Sequence, residues 1–154
     1  MNEVLEFRML DAKGQEVRLE SLLSLVPEND WVWSILEFDG ILLEGTELGY
    51  AEIQEKVNSS PHGYAMPWTQ IGEFAAGIRQ CFELLLVASK SGLAINPEQL
   101  TKMDFSAFPL VLTASDSTWW TVQLATDVQE ASDLANQLRA IYEIEGERKD
   151  STRR

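Results

Sequence analysis

The sequence predicts an α+β fold: a single domain with an antiparallel (or mixed) sheet and helices packed mainly on one face. Three observations carry that prediction. Two tight-turn signals, Asp39-Gly40 and Ser115-Asp116, each stand between strand-like apolar runs and point to antiparallel hairpins. Helix-periodic segments interrupt the strands without the sustained βαβ alternation of a parallel sheet. The last segment, with Val128, Ala131, Leu134, Ala135, Leu138 and Ile141 on one stripe, is an amphipathic helix that needs an apolar surface to lie on.

The elements follow in order. Val4 to Leu10 alternates Leu5, Phe7 and Met9 against Glu6 and Arg8, the pattern of a half-buried strand. Lys13-Gly14 punctuates it, and Glu16 to Leu19 is expected to pair back as a second strand. Glu20 to Val26 reads as a brief helical turn ended by Pro27, since a residue before proline is steered out of helical geometry. Trp31 to Phe38 is apolar on both faces, with Trp31, Trp33 and Ile35 on one side and Val32, Leu36 and Phe38 on the other. That two-sidedness predicts a central strand covered above and below. Asp39-Gly40 then predicts a turn, with Ile41 to Leu43 returning as the hairpin partner.

Tyr50, Ile53 and Val57 recur at helical spacing behind Thr46, a residue suited to capping. Asn58 to Pro67, dense in Ser, Pro and Gly, predicts a loop. Thr69 opens a helix carrying Ile71, Phe74, Ala75, Ile78 and Phe82, and Phe82 to Ala88 reads as a buried strand. Asn96-Pro97-Glu98 starts a short helix to Lys102. Pro109 to Thr113 and Thr118 to Ala125 form a hairpin, and Thr126 with Gln129 supplies a capping box for the final helix. Residues 1–146 are expected to form the domain and 147–154 a frayed polar tail.

Composition narrows the function. Among 154 residues, 12 Lys and Arg stand against 25 Asp and Glu, a formal charge of −13. Like charge repels nucleic acid and anionic membrane, so neither is expected as a partner. A single cysteine, Cys81, excludes an intrachain disulfide, and the longest apolar run, Leu84 to Ala88, is far too short to span a bilayer. Met1-Asn2-Glu3-Val4 lacks the basic and apolar regions of a secretion signal, so a cytoplasmic protein is expected.

Catalytic chemistry finds few candidates. His62 is the sole histidine, no Gly-x-Ser-x-Gly elbow flanks Ser59 or Ser60, and Cys81 falls on an apolar helical face where a thiol is inert. One His and one Cys cannot complete a zinc site, and neither a calcium loop nor a phosphate-cradling glycine loop occurs. No catalytic residue, metal or cofactor is expected.

The most unusual stretch runs from Leu19 to Glu55. It holds nine acids, Glu20, Glu28, Asp30, Glu37, Asp39, Glu44, Glu47, Glu52 and Glu55, and not one lysine or arginine. Trp31 and Trp33 are threaded among them. Trp119 and Trp120 are strand neighbours that must point to opposite faces, so one is exposed unless the sheet is covered twice. Acids beside large aromatics suit a protein contact, while the same tryptophans also suit a core. The expected partner-binding set is Asp30, Trp31, Trp33, Glu37, Asp39, Glu44, Glu47 and Trp119. The expected role is a non-catalytic domain that binds a basic protein, in its most concrete form an immunity or inhibitor protein of bacterial type facing a toxin nuclease domain. The alternatives are a self-associating structural or regulatory domain, such as a homodimer, and a small enzyme or ligand-binding domain using the Ser59 to Trp68 loop.

Overall fold

The structure is a computed structural model that describes residues 2–46, 48–90 and 95–142. In chain order the elements are β1 (Asn2–Arg8), α1 (Leu19–Leu23), β2 (Val32–Leu42), α2 (Tyr50–Asn58), β3 (Tyr64–Pro67) and α3 (Trp68–Ala76). They are followed by β4 (Ile78–Ser89), α4 (Pro97–Lys102), β5 (Leu110–Ser115), β6 (Trp119–Ala125) and α5 (Gln129–Tyr142). The six strands make one sheet in the order β1-β6-β5-β4-β2-β3, antiparallel at every pairing.

Strand alternation divides the apolar residues between two layers. On one face, Leu5, Trp33, Ile35, Leu86, Leu112 and Val122 pack against residues from four helices: Leu22 of α1, Ile53 of α2, Ile71 of α3, and Leu134 and Leu138 of α5. The opposite face of β4 and β5 holds a smaller core of Leu85, Val87 and Val111, capped by Ile95, Phe105 and Phe108 from the segment carrying α4. That segment is held locally by Asn96 and Gln99, each accepting the other's backbone N–H at 2.9 and 2.8 Å. The α+β expectation with helices mainly on one face therefore holds. Among the described residues no helix is long and apolar enough to cross a membrane.

β2 departs from expectation twice. Its pairing with β4 steps from Ile35↔Leu86 to Glu37↔Leu85, so Leu36 is an extra residue in a β-bulge. The bulge shifts the alternation by one and brings Phe38 to the main core beside Trp33 and Ile35, rather than to the side of Leu36. Second, the chain does not turn at Asp39-Gly40: β2 continues to Leu42. Gly40 lies opposite Cys81, and a Cβ there would overlap the backbone carbonyl oxygen of Gln80. This glycine permits close approach of two strands, where a turn would have used its positive φ.

Smaller differences have local causes. Glu16 to Leu19 pairs back only as the single bridge Leu10↔Glu16, because Asp11 closes the turn by accepting the N–H groups of Lys13 and Gln15, both at 2.9 Å. α2 starts after Gly49, whose N–H donates to Glu52 Oε1 at 3.0 Å, rather than at Thr46. The end of the expected Asn58 to Pro67 loop pairs with β2 as β3. α3 ends at Ala76, so Ile78 and Phe82 belong to β4. Ile141 is 51% exposed, and α5 instead closes on β1 through Tyr142, whose ring stacks on Phe7 with centroids 4.9 Å apart. The tail expected at 147–154 lies outside the described residues.

Candidate functional site

The expected contact residues separate into a core group and two surface groups. Trp31 and Trp33 are 5% and 0% exposed, which departs from their expected place on a partner surface: Trp33 has no face to offer and Trp31 shows only an edge. Their burial follows from the loop before β2. Asn29 donates to the Pro27 carbonyl at 3.0 Å, and its Oδ1 accepts both the Trp31 N–H at 3.2 Å and the Trp33 indole N–H at 3.1 Å. The buried indole is thereby satisfied, as a buried donor must be. Trp33 lies 5.8 Å from Trp31 and 5.3 Å from Trp68, ring centre to ring centre.

Trp68, half-buried at the start of α3, is the tryptophan of this cluster that reaches the surface. With Pro67 and Thr69 it walls a shallow groove whose other rim is Glu28, Asn29, Asp30 and the edge of Trp31. Asp30 is exposed there as expected. Sequence reading missed Trp68 as a site residue. Its signal was the Pro67-Trp68 step, which fixes where the edge strand gives way to the helix.

The second group stands at the other end of β2. Glu37 is exposed within the bulge, and Asp39, two residues on, is half-buried. Asp39 lies directly opposite Glu83, and Glu83 Oε2 accepts the Asp116 N–H at 2.6 Å. Two like-charged carboxylates, Asp39 and Glu83, are thus cross-strand partners at this end of the sheet and repel one another. Part of the relief is local: the Tyr50 hydroxyl donates to Asp39 Oδ1 at 2.8 Å. That bond, with burial and the Asp39 charge, raises the phenol above its ordinary pKa. Gln54 donates to the Phe38 carbonyl, so α2 covers the edge of β2 where β3 has stopped. Glu83 and Asp116 fall outside the Leu19 to Glu55 stretch; a lone acid inside the apolar run of β4 was the signal for the first.

Trp119 sits near this second end, half-buried, with the Arg8 guanidinium 5.3 Å from its ring centre. It is three strands away from β2 and does not join the Trp31 cluster. Trp120, its neighbour, is core and donates its indole N–H to the Val17 carbonyl at 2.8 Å. Glu44 is exposed after β2, and Glu47 lies outside the described residues.

Of the nine acids in the stretch, seven are exposed: Glu20, Glu28, Asp30, Glu37, Glu44, Glu52 and Glu55. Among the described residues the ion pairs are Lys102–Glu98 and Arg139–Glu3, and neither uses an acid of this stretch.

His62 is exposed in the α2–β3 loop, while Ser59 and Ser60 turn their hydroxyls back to the Lys56 carbonyl, at 3.5 and 2.5 Å, extending the end of α2. Cys81 is buried, and burial, reinforced by the charges of Glu83 and Asp39, pushes its thiol up to about 12. Among the described residues, no group of three or more His, Cys, Asp or Glu is arranged to hold a metal ion. Comparison with protein-family models, with curated proteins and with solved structures returned no match, which leaves the geometry above as the ground for a functional reading.

Proposed function

We propose that this chain is a non-catalytic binding domain whose acidic surface engages a basic protein in the cytoplasm. The carrying observation is the separation of charge from aromatics. Seven acids of the stretch face solvent without an ion pair among the described residues, while Trp31 and Trp33 are spent on the core. Exposed acids in this number raise the encounter rate with a cation-rich partner and repel acidic ones. The contact set we propose is Glu28, Asp30 and Trp68 at one end of β2, and Glu37, Asp39 and Glu44 at the other. Its most concrete form is an immunity or inhibitor protein that neutralises a basic toxin enzyme, an analogy of class resting on size and acidity. The inert Cys81 thiol and the engagement of the Ser59 and Ser60 hydroxyls with the Lys56 carbonyl favour binding over catalysis.

The test is recovery of a partner from native lysate at low salt, followed by binding kinetics with wild type and an E37K/D39K/E44K variant. Self-association is favoured by one feature: β1 is a seven-residue edge strand. Sedimentation at low and high salt distinguishes the two, because screening promotes pairing of two chains of charge −13 and weakens binding of a basic partner.

A further inference from the structure

A second concavity lies between α2, α3 and the β2–β3 edge, with a volume of about 270 Å³. Its walls are Leu42, Leu48, Ile53, Met66 and Phe74, and its polar groups are concentrated on Tyr64, Gln70 and Glu73. The cleft is built by the chain's local ties. Leu43 N–H donates to the Gly77 carbonyl at 2.8 Å, which fastens the segment after β2 to the end of α3. The Thr46 hydroxyl donates to the Leu48 carbonyl at 2.9 Å, so its polar capacity is used within the wall. At position 77 a Cβ would come within 2.9 Å of the Thr46 methyl, so glycine lets the two walls meet at the base.

We propose that this cleft binds a small amphipathic amine, with its apolar body against Leu42, Ile53, Met66 and Phe74 and its ammonium at the Glu73 carboxylate. Three observations converge. A volume of about 270 Å³ is room for roughly nine waters at ~30 Å³ each, and their release from apolar walls favours a compact hydrocarbon group. Among the described residues Glu73 is the one charged residue lining the cleft, and it has no cation partner among them. The Tyr64 hydroxyl accepts from Gln70 Nε2 at 3.4 Å, a long bond that leaves an oxygen lone pair for a second donor. An ammonium supplies donors to a carboxylate, whereas a carboxylate ligand would meet Glu73 with like charge. Lys56 places its ammonium over the Tyr64 ring, 5.6 Å from the centroid, and does not line the cleft.

The cleft borders the acidic contact set, since Glu44 stands between its lining residues Leu42 and Thr46, but the inference does not rest on that set: its ligand is a small amine and its variant is at Glu73. The probe is 2-phenylethylamine, with 2-phenylethanol as its neutral counterpart, titrated into the full chain and followed by amide NMR shifts. The expected result is saturable movement of amides at Leu48, Ile53, Met66 and Phe74, with the amine bound at least about tenfold more tightly than the alcohol. Glu73→Gln, an exposed and conservative change, should reduce amine affinity to the level of the alcohol and leave alcohol binding unchanged. Equal affinities for the two probes, an unaffected E73Q variant, or the absence of saturable shifts at these amides would each overturn the assignment.

Discussion

The two halves of β2 share one strand and a stretch of sequence without a positive charge, yet they obey different rules. From Val32 to Ile35 the strand is paired on both sides, to β3 and to β4, with Trp33 and Ile35 completely buried. From Glu37 to Leu42, after the bulge at Leu36, it is paired only to β4, through two further register shifts, and its free edge is covered by a side chain of α2. The first half excludes water and needs its indole N–H satisfied; the second half keeps water at Glu37 and tolerates irregular pairing. Position relative to the sheet edge, rather than residue type, decides which part of the stretch is structural and which can meet a partner.

Substitutions can break that division. The largest effect is expected at Trp33→Ala, which should cost about 3–5 kcal/mol, the range for emptying a large aromatic site. Glu37→Ala should stay within about 0.5 kcal/mol, as for an ordinary surface change. Urea denaturation of both variants is the check, and comparable losses would erase the distinction between the halves. Next is Gly40→Ala. Its methyl group meets a backbone carbonyl that cannot rotate away, so a loss of about 1–3 kcal/mol is expected. An unchanged denaturation midpoint would mean that the second half is not held closely against β4.

An effect confined to alkaline pH is expected at Cys81, the cross-strand partner of Gly40. Its thiol is raised to about 12 in the fold against about 8.5 in an unfolded chain, so the folded state binds the proton more tightly. The resulting stability is fully present below pH ~8.5 and is lost as pH rises from there toward about 12. Cys81→Ala should therefore flatten the alkaline fall in stability. A disulfide reagent at pH 8 should leave the native thiol untouched and react once urea is added. Fast native reaction would place the thiol, and with it the second half of β2, in contact with water.

The sequence made much of the fold legible because most elements announce themselves locally. The β5–β6 hairpin shows its polar tip at Ser115 to Ser117, and α5 shows its stripe of Ala131, Leu134, Ala135 and Leu138. What stayed hidden was set by partners distant in sequence. Gly40 reads as a turn residue until the Gln80 carbonyl stands beside it, and the Leu36 bulge is hidden because the run around it is apolar on both faces. At the site, the acids were legible because solvent exposure is what a dense run of charge requires. The fate of the tryptophans was not: Trp31 and Trp33 owe their burial to Asn29, Trp68 and the sheet edge, none of which periodicity reveals. Glu83 was brought to Asp39 by strand pairing alone.

In the proposed complex the acids of β2 and the segment after it set the rate of association. Its most direct measurement is surface-captured binding of the partner recovered from lysate, comparing wild type with E37K/D39K/E44K at two ionic strengths. At low salt the variant should associate at least about tenfold more slowly with little change in dissociation, and the gap should close as the Debye length falls toward about 8 Å at 0.15 M and below. Equal association rates for the two proteins at low salt would contradict the account and leave the acidic stretch as a solvated surface only.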